Sequence, residues 1–228
     1  PDGREEVAAG DAEAFHKSLP EVKSYTSLDE WAHAEGPKDA GNRGLAEGWA
    51  EPGLDEQAWK AMDLPGHWQK QGHPGSGVLW FRKTIDIPSH WLGRDLTLRL
   101  GAIDKHDDTY VNGIRIGGIS WENPNAWCTP RSYRVPAAVV GETTRMVVAV
   151  RARSHVYDGG LTGPAHAMCL QRADEASGLP LAGRWLWKVE QDWGQVAAPP
   201  QFGNGPATPN APHAMFDCRL NPLIPYGL

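Results

Sequence analysis

The sequence predicts a mainly β fold, an antiparallel sandwich or jelly roll with a partly helical leader and an irregular Pro-rich tail. Short stretches of apolar–polar alternation recur from Trp59 onward, which is the period of half-buried strands. Gly (26) and Pro (19) are frequent enough to separate these stretches by turns. Between them lies no long amphipathic helix of the kind a parallel βαβ sheet needs.

Taken in order, Ala8–His16 is helix-prone, and Ser27 precedes Glu30 at capping-box spacing. Residues 36–58 are polar and Gly-rich and read as loop. Val78–Ile87 is a strand closed by Pro88. In Asp95–Leu100, leucines 96, 98 and 100 share one face while Thr97 and Arg99 share the other. Thr109–Ile116 is a hairpin whose Asn112-Gly113 pair suits a type I′ turn, because both central residues need positive φ. Further strands are read at Arg131–Val135, Arg145–Arg151, His166–Gln171 and Trp185–Val189. The expected organisation is a leader (1–54), a sandwich (55–191) and a Pro-rich linker with an apolar end (192–228).

With 22 basic and 28 acidic residues the net charge is −6, which argues against general nucleic-acid binding. Residues 1–60 hold 14 acids and 6 bases, the remainder 14 and 16, so the leader reads as a solvated acidic surface. No apolar run nears the ~18–20 residues that span a bilayer, and no signal peptide is visible. The chain opens at Pro1 rather than Met, so sequence upstream is expected to have been cut away or never cloned. Cys128, Cys169 and Cys218 form no C-x-x-C pair, so buried free thiols are expected.

The motifs of common chemistries are absent. There is no Gly-x-Ser-x-Gly elbow, phosphate loop, H-E-x-x-H or EF-hand. None of the nine serines sits in a strand-to-helix turn. The densest polar cluster, Asp104-Lys105-His106-Asp107-Asp108, fits a solvated turn, a calcium site or a contribution to a neighbouring active site. Trp121, Trp127 and Tyr133 could stack on sugar rings or cover one end of the sandwich. Arg131, between Pro130 and Tyr133, could hold a carboxylate bidentately or form a structural ion pair.

An ordered series of motifs resembles a known family. It runs Trp59–Trp68, Gly77–Lys83, Leu98–Asp104, Tyr110–Gly113, Thr129–Tyr133 and Gly159-Gly160 with Gly163. The series resembles the galactose-binding-like β-sandwich inserted in the catalytic domain of sialate O-acetylesterases, itself similar to the sandwich that opens family 2 glycoside hydrolases. Met215–Tyr226 resembles the re-entry into the esterase's catalytic domain, departing at Asp217 and Cys218. The resemblance implies the accessory part of an SGNH carbohydrate esterase, which removes acetyl groups by serine acyl transfer.

The nucleophile's Gly-Gln-Ser-Asn motif is missing, so no catalytic residue carries over and the chain alone is expected to be inactive. The implied partners are the catalytic SGNH portion of the same protein and an acetylated carbohydrate, with no nucleic acid and no membrane. No cofactor or metal is implied, and family habit gives a periplasmic or secreted location. Arg131, Asn112, Asp104 and Asp107 are the residues expected to face the substrate, and Trp121, Trp127 and Tyr133 the aromatic platform. The alternatives are a free-standing carbohydrate-binding module and the N-terminal sandwich of a family 2 glycoside hydrolase. The Pro222–Tyr226 tail argues against the second.

Overall fold

A computed structural model describes residues 25, 27–123 and 125–197. Eleven strands run in order: β1 (Lys60–Leu64), β2 (Gly66–His67), β3 (Ser76–Asp86), β4 (Leu96–Asp104), β5 (His106–Val111), β6 (Ile114–Ile119), β7 (Pro130–Val135), β8 (Arg145–Ser154), β9 (Gly160–Arg172), β10 (Leu179–Pro180) and β11 (Gly183–Gly194). Short helices α1 (Leu28–Ala34) and α2 (Arg43–Ala46) precede them, and α3 (Ala137–Val140) follows β7. One sheet has the order β1-β11-β3-β8-β5-β6, and the other β10-β9-β4-β7 with β2 beside β9. Among the described residues every pairing is antiparallel. The fold is the mainly β, antiparallel sandwich that the alternation predicts.

Period two explains the core. Leu79 and Phe81 of β3, leucines 96, 98 and 100 of β4, and Met146, Val148 and Val150 of β8 all enter one apolar cluster between the sheets. Trp68, Trp91, Trp185 and Trp187 join it. Most of the tryptophans therefore serve packing, where a large flat ring removes much apolar area from water.

β3 is buried on both faces for a separate reason. Its alternate residues Trp80 and Arg82 lie on the outer face of the six-stranded sheet, beneath Trp49, Ala50 and Trp59. The Gly-rich residues read as loop thus form a strap over this sheet. Arg82 fixes it through Glu56 (3.0 Å) and the carbonyl of Glu51 (3.0 Å). Glu190 of β11 accepts from the backbone N–H of Gly44 (2.6 Å). A Cβ on Gly44 would lie 2.4 Å from Trp80 Nε1, so the strap can approach this closely only with glycine there.

Local expectations and structure agree where the signal is local. Ser27 accepts from the Glu30 N–H at 3.1 Å and caps α1. Asn112 and Gly113 have φ of 48° and 83°, so the β5–β6 turn has the two positive values expected. Several strands run longer than the sequence suggests, β4 among them, which continues to Asp104. β8 extends to Ser154, β9 begins at Gly160, and β11 reaches Gly194. Glycines 160 and 163 and Pro164 hide the alternation in β9, whose first residues are fixed by β2 and β4 instead. Cys128 is buried, and Cys169 is a free thiol only partly so. Ala8–His16, Cys218 and Met215–Tyr226 lie outside the described residues.

Between the sheets, among the described residues, sits a fully buried ion pair. Arg131 Nε donates to Asp107 at 2.8 Å, and both side chains are fully buried. Removing one partner leaves an uncompensated charge in the core. We expect Asp107→Ala to cost about 3–5 kcal/mol of unfolding free energy, read from urea titration. A loss below about 1 kcal/mol would mean that Arg131 reaches solvent or another acceptor.

Candidate functional site

The Asp104–Asp108 cluster is divided by the geometry of the strand it opens. Asp104 ends β4, and Lys105 turns the chain with φ 77°. From there alternation sends Asp107 inward and His106 and Asp108 to the outer face. His106 pairs with Arg153 and Asp108 with Arg151, so these four side chains share one surface of the six-stranded sheet.

The inward members are spent on the fold. Asp107 accepts from Arg131, from Thr109 Oγ1 (2.8 Å) and from the Tyr133 hydroxyl (2.9 Å). Arg131 also donates to the carbonyls of Lys105 (2.6 Å), Ala126 and Thr129. Burial, and then the charge of Asp107, push the Tyr133 pKa up, so its hydroxyl remains a donor. Asn112 spends its amide on Val139 O (3.0 Å) and Val147 N (2.9 Å). Asp104 takes the Lys105 ammonium at 3.1 Å, while burial raises its pKa. Arg131, Asp107, Asn112 and Asp104 are therefore engaged with protein partners. Among the described residues no three His, Cys, Asp or Glu groups are placed to hold a metal.

Trp121, Trp127 and Tyr133 do not form one platform. Tyr133 is bound to Asp107 and lies against Gly117, where a Cβ would come within 2.2 Å of its ring. Trp127 is half-buried in the loop. Trp121 belongs to a different group. Its ring lies 4.2 Å from His33 of α1, 4.2 Å from His106 and 5.1 Å from His155. With Pro37, Asp39, Arg153 and Trp193, the side chains of Trp121, His106 and His155 line a cleft of about 150 Å³.

The cleft's polar groups are unequally committed. Arg151 grips Asp39 with two bonds of 2.7 Å, and Gln191 adds a third at 2.7 Å. Burial works to raise the Asp39 pKa, but Arg151's hydrogen bonds and charge outweigh it and hold the carboxyl well below its usual range. Arg153, by contrast, makes one hydrogen bond among the described residues, Nη1 to Asp39 at 3.4 Å. His106 makes none, and the buried Nε2 of His155 has no partner. An orphaned buried nitrogen costs about 1–3 kcal/mol, so such exceptions ask for an explanation.

Both imidazoles stay neutral. Burial, followed by the charges of Arg153, Arg131 and Lys105, pushes the His106 pKa down to about 3. Burial and Lys105 push His155 down to about 2. Lys105 also ties the loop after β8 in place, donating to Ser154 Oγ and Asp158 O, each at 3.0 Å.

Sequence reasoning reached Trp121 but not His33, Asp39, Arg153, His155 or Trp193. One signal was available. Arg151 and Arg153 stand two apart at the end of an apolar strand, and His155 continues that spacing. His33 and Asp39 come from the strap and helix, which no local pattern places.

No family model matches the chain. A β-galactosidase of Bacteroides ovatus is 26% identical over 82 residues, 30% of this chain and 10% of the relative. That relative is a glycoside hydrolase. The sialate O-acetylesterase reading is therefore corrected, and with it the SGNH partner and acetyl-ester chemistry. Among solved structures, a Bacteroides uniformis β-glucuronidase has 18% identity and TM-score 0.40, covering 66% of this chain and 16% of its own. A Ruminococcus gnavus β-glucuronidase, in complex with an N1-substituted uronic isofagomine, has 16% identity and TM-score 0.42, covering 67% and 27%. The chain thus spans about a tenth of the curated relative's length.

The resemblance misled for a physical reason. Asn112-Gly113 makes a turn, and Gly159 lets Trp68 pack where a Cβ would lie 2.1 Å from its ring. Gly101 and Gly163 likewise bring two backbones together. These motifs build the sandwich and carry no chemistry of either hydrolase.

The lowered histidines make stability depend on pH. Above about pH 6.5 both folded and unfolded chains hold them neutral. Between that value and the lowered folded pKa, only the unfolded chain takes up their protons, so stability falls with falling pH. Each contributes a slope of up to about 1.4 kcal/mol per pH unit. His155→Phe should flatten urea-derived stability between pH 6.5 and 5 by about that amount. An unchanged slope would show that His155 titrates normally when folded.

Proposed function

We propose that this chain is a non-catalytic sandwich domain that works beside the catalytic domain of a β-glycoside hydrolase of the family 2 kind. The observation that carries the reading is the sequence match to the B. ovatus β-galactosidase, of which the chain spans a small part.

The site's chemistry is consistent with an accessory role. Glycoside hydrolysis uses two carboxyl groups set across the scissile bond, one kept protonated as acid and the other free to act as base or nucleophile. Of the carboxylates near the cleft, Asp39 is held by Arg151, Asp107 by Arg131 and Asp108 by Arg115 at 2.9 Å. Glu190 is held by Arg151 at 2.6 Å. Each is neutralised by an arginine, which suits clamping rather than proton transfer. The cleft adds an aromatic ring, two neutral imidazoles and a lightly bonded guanidinium, a set suited to holding a polar ring.

The test compares the chain with the longer protein that its gene encodes. Aryl β-galactosides, aryl β-glucuronides and aryl acetates are offered to both. We expect no turnover by the chain, glycoside turnover by the longer protein, and no acetate turnover by either. Ester hydrolysis, or glycoside hydrolysis by the chain alone, would overturn the reading.

A further inference from the structure

The histidine–tryptophan cleft is lined by a buried polar atom without a partner among the described residues, His155 Nε2. Four features define what could enter it. The first is size. A cavity of about 150 Å³ accommodates one six-membered ring, as engineered cavities of that volume do for benzene. The second is a flat apolar wall, the half-buried indole of Trp121. The third is a pair of neutral imidazoles, His106 and His155, each 3% exposed and without a hydrogen bond among the described residues. A neutral imidazole offers one donor and one acceptor, which is the complement of a hydroxyl.

The fourth is Arg153. Its side chain lines the cleft at 20% exposure, and its ion-pair distances to Asp39 and Asp108 are both 3.4 Å. These are long for a charge-assisted bond. The two carboxylates are already occupied at shorter range, Asp39 by Arg151 and Asp108 by Arg115. Most of the five N–H donors of Arg153 are therefore uncommitted, in a fork shaped for a carboxylate. Asp39 does not oppose an incoming anion strongly, because Arg151 and Gln191 cover both its oxygens.

We propose that this cleft holds a single acidic monosaccharide ring, with Trp121 against the ring, Arg153 on its carboxylate, and His106 and His155 on its hydroxyls. The assignment rests on the reading of the chain as part of a carbohydrate-acting enzyme, and it adds the charge class of the sugar and the residues that select it. A neutral sugar would leave the Arg153 fork unpaired. An acyclic carboxylate would offer no ring to Trp121 and no hydroxyls to the imidazole nitrogens.

The purified chain is titrated with D-glucuronate, D-galacturonate, the methyl ester of each, D-glucose and acetate, followed by tryptophan fluorescence and by the imidazole resonances. We expect saturable binding of at least one uronate. Its methyl ester and D-glucose should bind about tenfold more weakly, since a bond to a charged group contributes about 1.5–3 kcal/mol. Acetate should not saturate. Arg153→Gln should weaken the uronate about tenfold while leaving the ester unchanged. The ester comparison needs no change to the protein, so a poorly folded variant does not blur the answer. Equal binding of uronate and ester would overturn the acidic assignment and leave the carbohydrate reading standing. Binding of none of the sugars would overturn the cleft as a ligand site. The accessory-domain reading is decided separately, by the turnover comparison.

Discussion

Arg151 holds together two parts of the chain that are distant in sequence. It sits on the outer face of β8 at 1% exposure, with Nε on Glu190 of β11 and its two terminal nitrogens on Asp39 of the strap. A guanidinium so placed needs its charge balanced and its donors filled, and the two carboxylates with the carbonyl of Gly41 do both. Glu190 then takes the N–H of Gly44 and the indole N–H of Trp80. The strap is thereby seated on the sheet, Trp49 and Trp59 close over Trp80, and Asp39 is delivered to the rim of the cleft. Without this clamp the cleft would lose a wall.

The same alternation that builds the core also sorts the polar residues. Along β5 it places Asp107 inside, where Arg131, Thr109 and Tyr133 satisfy it. It places His106 outside, beside Arg153. Residues adjacent in sequence thus enter opposite networks with opposite consequences. The inner one is complete and serves stability. The outer one leaves the buried Nε2 of His155 without a partner among the described residues.

Much of the fold was legible because its signals are local. Asn112-Gly113 needs only its own φ values, Ser27 only the next turn of helix, and the leucines of β4 only each other. The site was less legible. Reading Asp104 to Asp108 as one cluster treats them as a loop, whereas β5 begins at His106 and divides them. From the sequence Arg131 reads as a substrate-binding residue, with a structural ion pair as the alternative, and it pairs with Asp107 of the same chain. Trp121 was visible as an aromatic in a loop, but its histidine neighbours come from α1, β5 and the end of β8. The family motifs reported a backbone rather than a chemistry, so they could not distinguish one hydrolase from another.

The central claim is that one clamp seats the strap and so builds the cleft. Hydrogen exchange in a Glu190→Gln variant tests it directly, since the amide cannot balance Arg151 as the carboxylate does. The account predicts faster exchange at Ala40, Gly41, Gly44 and Leu45, with the β4 and β9 amides unchanged. Protection lost evenly over both sheets would make Glu190 a general core residue, and unchanged protection of the strap would show that the clamp does not hold it; either result would contradict the account.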